Sequence, residues 1–174
     1  MVQDLGDGLI LRRTTGADAG ALSVGSQEGR EVLEYDAGSG AFVRVVVATI
    51  GEGFQTLGGI ALRPSDGSLH VSSSASGEIW RYATGTGLVV PPALAPGLQG
   101  PPGLVFRAGG GTLFFADPRD SLAQTTDSVK ALALPGGALT TLGTSAGAEF
   151  HHVAVNGAQI FATDVQGERE GGFP

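Results

Sequence analysis

Cysteine is absent from the 174 residues, which excludes disulfides and thiolate metal ligands and leaves the redox compartment without a signature. Lysine occurs once, at Lys130. Ten basic residues stand against 17 acidic ones for a net charge of −7, so no cationic stripe exists to neutralise a phosphate backbone, and no nucleic-acid partner is expected. Long apolar runs are missing too. Nothing approaches the roughly 18 residues of a membrane span, and residues 1–20 lack the charged start and apolar segment of a signal peptide. No membrane span is expected, and the residues leave the localisation open. Helical spacing of apolar residues does not occur, nor do GxSxG, GxxxxGK or HExxH patterns. Nucleophile-elbow, nucleotide-binding and zinc-protease chemistry therefore have no support. Gly109, Gly110 and Gly111 precede no helical pattern and read as a turn between strands.

What is abundant is glycine, with 30 residues, beside nine prolines and a 41% hydrophobic content. Without a period of three this is a packed chain of short strands joined by many turns, an all-β composition. The turns recur in phase. Residues 31–42 read EVLEYDAGSGAF and residues 78–89 read EIWRYATGTGLV, so Tyr35 matches Tyr82 and Gly38 and Gly40 match Gly85 and Gly87. First strands begin GLILRR at Gly8, GIALRP at Gly59 and GLVFRA at Gly103, each with an arginine four residues on: Arg12, Arg63 and Arg107. Second strands follow at Ala21, Ser68 and Thr112, third strands at Val32, Ile79 and Val129, and fourth strands near Phe42, Val89 and Leu139.

First strands are spaced by 51 and then 44 residues, the range of four-stranded propeller blades. A four-stranded sheet is stable only when its apolar faces are covered, and radial stacking covers them. The sequence thus predicts an all-β fold of β-propeller blades, each of four antiparallel strands. Blade one spans 8–48, blade two 59–95 and blade three 103–143. A half blade follows at 150–165, where Asn156-Gly157 reads as a two-residue hairpin turn between two strands. Three and a half blades make an incomplete ring. Its two open faces would exceed the apolar patch of about 300–600 Å² found on typical monomers, so something is expected to cover them.

The chain resembles the NHL-repeat propellers and the related gluconolactonase and streptogramin-lyase-like group. The shared phrase is a Pro/Gly approach to a first strand, a turn, an apolar second strand, then "I.RY" and "TG". Here it reads PPGLVFRAGGGTLFFAD from Pro101 and GEIWRYATGTG from Gly77. The resemblance covers nearly the whole chain and implies fold rather than activity, because such propellers host enzymes and passive binders alike. It implies rings of six or seven blades, and it favours a secreted or extracellular setting. A lyase-like site would imply a general-base histidine with bound Mg²⁺, for which Glu149 and His152 are the candidates.

Strand alternation places the loops entering first strands and those joining second to third strands on one face of a propeller. That face would collect Asp117, Arg119, Asp120, Glu149, His151, His152 and Asp164, a polar patch able to bind a ligand or a Ca²⁺ or Mg²⁺ ion. The ordinary reading stands beside it: Asp-Pro-Arg-Asp is turn composition. Adjacent His151 and His152 are expected on opposite faces of a strand, one of them packed between blades. His70, Tyr35, Trp80 and Tyr82 read as packed core. The three in-phase arginines read as scaffold groups bonding loop carbonyls or a neighbouring blade's acid.

The leading function on this reading is a non-catalytic repeat module for protein binding or assembly, through a protein partner or self-association at the open blade faces. The alternatives are a metal-dependent lactonase- or lyase-like enzyme, and a segment of an extracellular structural or filament-forming protein.

Overall fold

The computed structural model of the protein describes residues 10–12, 20–26, 29–48, 56–118, 126–165 and 170–173. These residues hold fifteen strands and no helix. Sheet 1 comprises β1 (Ile10–Arg12), β2 (Ala21–Ser26), β3 (Glu31–Asp36) and β4 (Phe42–Val47). Sheet 2 comprises β5 (Leu57–Leu62), β6 (Leu69–Ser73), β7 (Glu78–Ala83) and β8 (Leu88–Ala95). Sheet 3 comprises β9 (Leu104–Phe106), β10 (Thr112–Asp117), β11 (Thr126–Ala133) and β12 (Leu139–Ala146). Sheet 4 comprises β13 (Phe150–Asn156), β14 (Gln159–Asp164) and β15 (Glu170–Phe173). In every sheet, strands adjacent in the chain are adjacent in space and antiparallel. The all-β arrangement of four-stranded blades in an incomplete ring is the one expected from the repeat.

Sheet stacking sets the core. Each sheet has a near face toward the preceding sheet and a far face toward the next. Val32, Val46 and Val47 on the far face of sheet 1 pack on Ile60, Leu69, Val71 and Tyr82 of sheet 2. Ala61, Ile79 and Ala95 of sheet 2 pack on Leu104, Leu113, Phe115 and Leu132 of sheet 3. Phe114, Ala116 and Val129 of sheet 3 pack on Phe150, Ile160 and Ala162 of sheet 4. Both faces of sheets 2 and 3 are covered. This is why Ile79 beside Trp80, and Phe114 beside Phe115, are adjacent apolar residues instead of an apolar–polar alternation.

First strands converge, with β1 on β5, β5 on β9 and β9 on β13. The glycines opening the second and third first-strand phrases, Gly59 and Gly103, answer this crowding. A Cβ on Gly59 would lie 2.8 Å from the carbonyl oxygen of Pro102, and one on Gly103 would lie 2.7 Å from that of His151. Only a residue without a side chain lets successive inner strands approach so closely.

Three expectations need correction. Sheet 4 is more than two strands, because β15 pairs with β14 from Ile160–Phe173 to Thr163–Glu170. In Glu-Gly-Gly-Phe only the phenylalanine favours a strand and no alternation is present, so the sequence carries little signal for the strand that pairing with β14 forms. The hairpin turn is Gly157-Ala158, not Asn156-Gly157. Asn156 is the last paired strand residue, opposite Gln159, and Gly157 takes the first central turn position with φ +60°. Finally, Arg12 is out of phase with the other two arginines. It pairs with Leu22, the place that Leu62 and Phe106 hold opposite Leu69 and Leu113.

Replacing Gly103 by Ala is expected to cost about 2–3 kcal/mol, because backbone and not a flexible side chain must move. Gly111→Ala, with nothing within 4 Å of the added carbon, is expected to stay within about 0.5 kcal/mol of wild type. Equal midpoints for the two variants in urea titrations would contradict the crowded inner strands.

Candidate functional site

Asp117 and Asp164 hold the same place, the last residue of a second strand, and do the same job. Asp117 Oδ1 accepts the Gln99 backbone N–H at 2.8 Å, and Asp164 Oδ1 accepts that of Glu149 at 3.0 Å. In each case the carboxylate pins the segment that leads into its own sheet's first strand. Sheet 2 makes the same tie through backbone alone, Ser74 N–H to the Thr56 carbonyl at 2.9 Å. Asp117 is fully buried, and its other oxygen meets Lys130 Nζ at 2.7 Å. The chain's one lysine is therefore held inside, between sheets 2 and 3. Asp127, buried on the neighbouring strand, accepts the Phe150 N–H at 2.6 Å and ties sheet 3 to sheet 4. The recurring phrases FFAD and FATD, which end at Asp117 and Asp164, are the sequence signal for this duty.

The rest of the proposed patch divides. Glu149 and His151 come together, Nε2 to Oε1 at 3.2 Å, and Asp164 joins them through the Glu149 backbone. The His152 backbone N–H bonds Thr163 Oγ1 at 3.2 Å, and its side chain is exposed. The register shifts between Phe150 and His152, and the two imidazole rings stand 6.3 Å apart at a 42° tilt. They do not separate to a packed face and a free face as a regular strand would require, and the His151 side chain is 42% exposed. Arg119 and Asp120 lie outside the described residues. Among the described residues no group of three or more His, Asp or Glu is arranged to hold a metal ion.

Two of the three arginines are described in full, and they act differently. Arg63 Nε donates to the Gly110 carbonyl at 2.7 Å, linking sheet 2 to the β9–β10 turn of sheet 3, as a scaffold arginine should. Arg107 instead lies over the Phe114 ring at 5.0 Å. A link the sequence reading missed is Arg44. It pairs with the buried Glu34 at 3.2 Å and donates to the Thr84 carbonyl of sheet 2.

His70 is buried, as expected, but among the described residues neither ring nitrogen makes a hydrogen bond of full geometry, and the ring packs edge-on against Phe106 at 4.9 Å. Burial pushes its imidazole down to about 4, outweighing the Ser68 backbone and Asp66, which favour the charged ring. Arg63 and Arg81 add to the depression. The register shows why a polar ring sits there. His70 holds the far-face centre of its second strand, the place of Ser23, Phe114 and Phe161 in the other sheets. Ser23 Oγ, at the same place, is also buried without a partner.

The two ends of the stack differ. On the near face of sheet 1, Leu22, Tyr35 and Phe42 form one cross-strand row, and Val24, Leu33 and Val45 form the next. Phe42 is 56% exposed and Val45 40%; Leu22, Leu33 and Tyr35 are half-buried, and Val24 is buried. Their equivalents in sheet 2 include Leu69, Val71 and Tyr82, all buried against sheet 1. Burial pushes the Tyr82 phenol up to about 12. Tyr35 thus matches Tyr82 in register but is not packed between blades among the described residues. Sheet 4's far face is polar by comparison. Phe161 and Ala154 are flanked by His152, Thr163, Asn156 and Gln159, all exposed. His152 stands where Gly59 and Gly103 stand in sheets 2 and 3.

No family model matches the chain, and no curated protein does. Solved structures do, and those described here are β-propellers. One is in a crystal structure of a nidogen/laminin complex, at TM-score 0.75 and 14% identity over 88% of this chain and 56% of that one. Another is the hydrazine synthase of Kuenenia stuttgartiensis, at TM-score 0.68 and 15% identity over 92% of this chain and 44% of that one. At such identities the likeness concerns the fold, and the chain spans about half the length of each neighbour. No helix among the described residues is long and apolar enough to cross a membrane.

Lys130→Met leaves Asp117 buried and charged and is expected to destabilise by about 3–5 kcal/mol, read as a large drop in melting temperature. Between pH 6.5 and about 4 the unfolded chain binds a proton on His70 that the folded chain refuses. Stability therefore falls as pH falls through that window, by up to about 3 kcal/mol from this group. His70→Phe, which copies the residue at the equivalent place in sheet 3, is expected to stabilise more at pH 5 than at pH 8. A gain independent of pH would contradict a buried neutral imidazole.

Proposed function

We propose that the chain is a non-catalytic β-propeller module that binds protein through the face its first sheet leaves uncovered. The supporting observation is the contrast between two equivalent rows. Leu69 and Tyr82 are buried by the preceding sheet, whereas Leu22, Tyr35 and Phe42 have no sheet in front of them among the described residues. A sheet face that is apolar across β2, β3 and β4 suits another protein surface better than it suits water. The candidate ligand groups support the same reading. Asp117 and Asp164 spend carboxylate oxygens on backbone N–H groups of their own sheets. The similar propeller found in a complex of nidogen with laminin is consistent with a binding role for the fold.

The test is an apolar reporter dye such as anilinonaphthalene sulfonate with the native chain. Fluorescence enhancement is expected, and Phe42→Ser with Val45→Ser is expected to remove about half or more of it without changing the circular dichroism spectrum. Equal enhancement by the native chain and the double variant would remove the proposed face from consideration.

A further inference from the structure

We infer that the charged cluster where the turns of sheets 2 and 3 meet is an acid-operated latch: a proton taken up by His70 draws Asp66 away from Arg63, and Arg63 then lets go of the turn in sheet 3. The inference goes beyond the proposed binding role and does not depend on it. In the structure the latch is closed. Arg63 Nε donates to the Gly110 carbonyl at 2.7 Å while its Nη1 donates to Asp66 Oδ2 at 3.0 Å. Asp66 Oδ1 in turn accepts the Ser68 hydroxyl at 2.6 Å and the Ser68 backbone N–H at 2.9 Å. The two turns also touch, because a Cβ on Gly110 would lie 2.9 Å from Ser65 Oγ and 3.0 Å from Arg63 Cγ.

His70 is the second residue of β6 and so lies close to this turn. Arg81 stands opposite it on β7, and Val90 continues the row on β8. From sheet 3 the ring is met by Phe106, edge-on at 4.9 Å, which carries no charge. Lys130, also at that interface, stands one cross-strand row further on and pairs with Asp117 at 2.7 Å. Arg107 turns to the opposite face, over Phe114. A ring wholly buried beside two arginines, one carboxylate and a phenyl group is neutral at neutral pH. Burial is the main reason; the Ser68 backbone and Asp66 favour the charged ring, and Arg63 and Arg81 oppose it.

Acid changes the balance of charge. Protonated His70 adds a third cation to Arg63 and Arg81, with Asp66 the carboxylate beside them. Asp66 stays ionised through that step: burial raises its proton affinity, but the bonds from Ser68 and Arg63 lower it by more. A buried cation persists only when paired, so the imidazolium competes with Arg63 for this carboxylate. The turn has freedom to answer, because the Asp66 side chain is 43% exposed. Without the carboxylate that orients it, and facing a new like charge, Arg63 moves toward water and its bond to the Gly110 carbonyl is lost. Leu104, Phe115 and the Lys130–Asp117 pair lie further from the turns, so the seam loosens from the turn end while sheets 2 and 3 stay stacked.

The experiment is NMR on the full chain between about pH 7 and about pH 3.5, with the His70 ring identified by its loss in His70→Phe. The ring is expected to titrate with a midpoint of about 4. The Gly110 amide is expected to shift with the same midpoint in the native chain and not in His70→Phe. Asp66→Asn, at an exposed position, should lower the ring's midpoint by about half a unit or more, and Arg63→Met should raise it by about as much. A Gly110 shift that persists in His70→Phe overturns the inference, and so does a midpoint that either Asp66→Asn or Arg63→Met leaves in place. Loss of all native resonances before the ring titrates overturns it as well, since acid then takes down the whole stack instead of releasing one latch.

Discussion

A short antiparallel sheet with two apolar faces cannot hide either of them alone, and everything else in this chain follows from that constraint. Sheets 2 and 3 solve it by lying between neighbours, where Leu69, Val71, Leu113 and Phe115 lose all contact with water. Fully burying one such side chain is worth about 1.5–3 kcal/mol, so the three sheet-to-sheet interfaces are the main source of stability. The same constraint leaves a residue of unsatisfied surface at each end of the stack. The chain treats those ends oppositely, with an apolar face on sheet 1 and a polar one on sheet 4.

Polar groups serve the stacking. Asp117, Asp127 and Asp164 each accept a backbone N–H from a connecting segment or a neighbouring sheet, Arg63 reaches a turn carbonyl in the next sheet, and Arg44 does the same from sheet 1. Such bonds contribute modestly one by one, about 0.5–1.5 kcal/mol when neutral and more when charged. Their larger effect is on register, because each fixes where one sheet sits against the next. His70 and Ser23 are exceptions, buried at a sheet interface with no side-chain hydrogen bond of full geometry among the described residues. The buried imidazole makes the contact between sheets 2 and 3 sensitive to acid.

The all-β class and the antiparallel strand order were legible because turn chemistry and apolar runs recur in phase, as Tyr35 with Tyr82 and Gly59 with Gly103 demonstrate. The misreadings share a cause. Arg12, Asn156 and the strand at Glu170–Phe173 are decided by pairing register, which a one-residue slip changes and which no single segment encodes. Within the proposed polar patch the carboxylates that hold backbone groups could not be told apart by sequence, for a related reason. Asp117 and Asp164 look like loop carboxylates in the sequence, and only the backbone N–H groups of Gln99 and Glu149, brought back from distant positions, reveal their use. The meaning of His152 likewise emerges only when its place is matched to two glycines.

The central claim is that equivalent places in sheets 1 and 2 differ because one is covered by a sheet and the other is not. The most direct measurement compares Tyr82→Ser with Tyr35→Ser by urea unfolding at low protein concentration, about 1 μM. A loss of about 3 kcal/mol or more is expected for Tyr82→Ser and of about 1 kcal/mol or less for Tyr35→Ser. Equal losses, or a larger one at Tyr35, would contradict it.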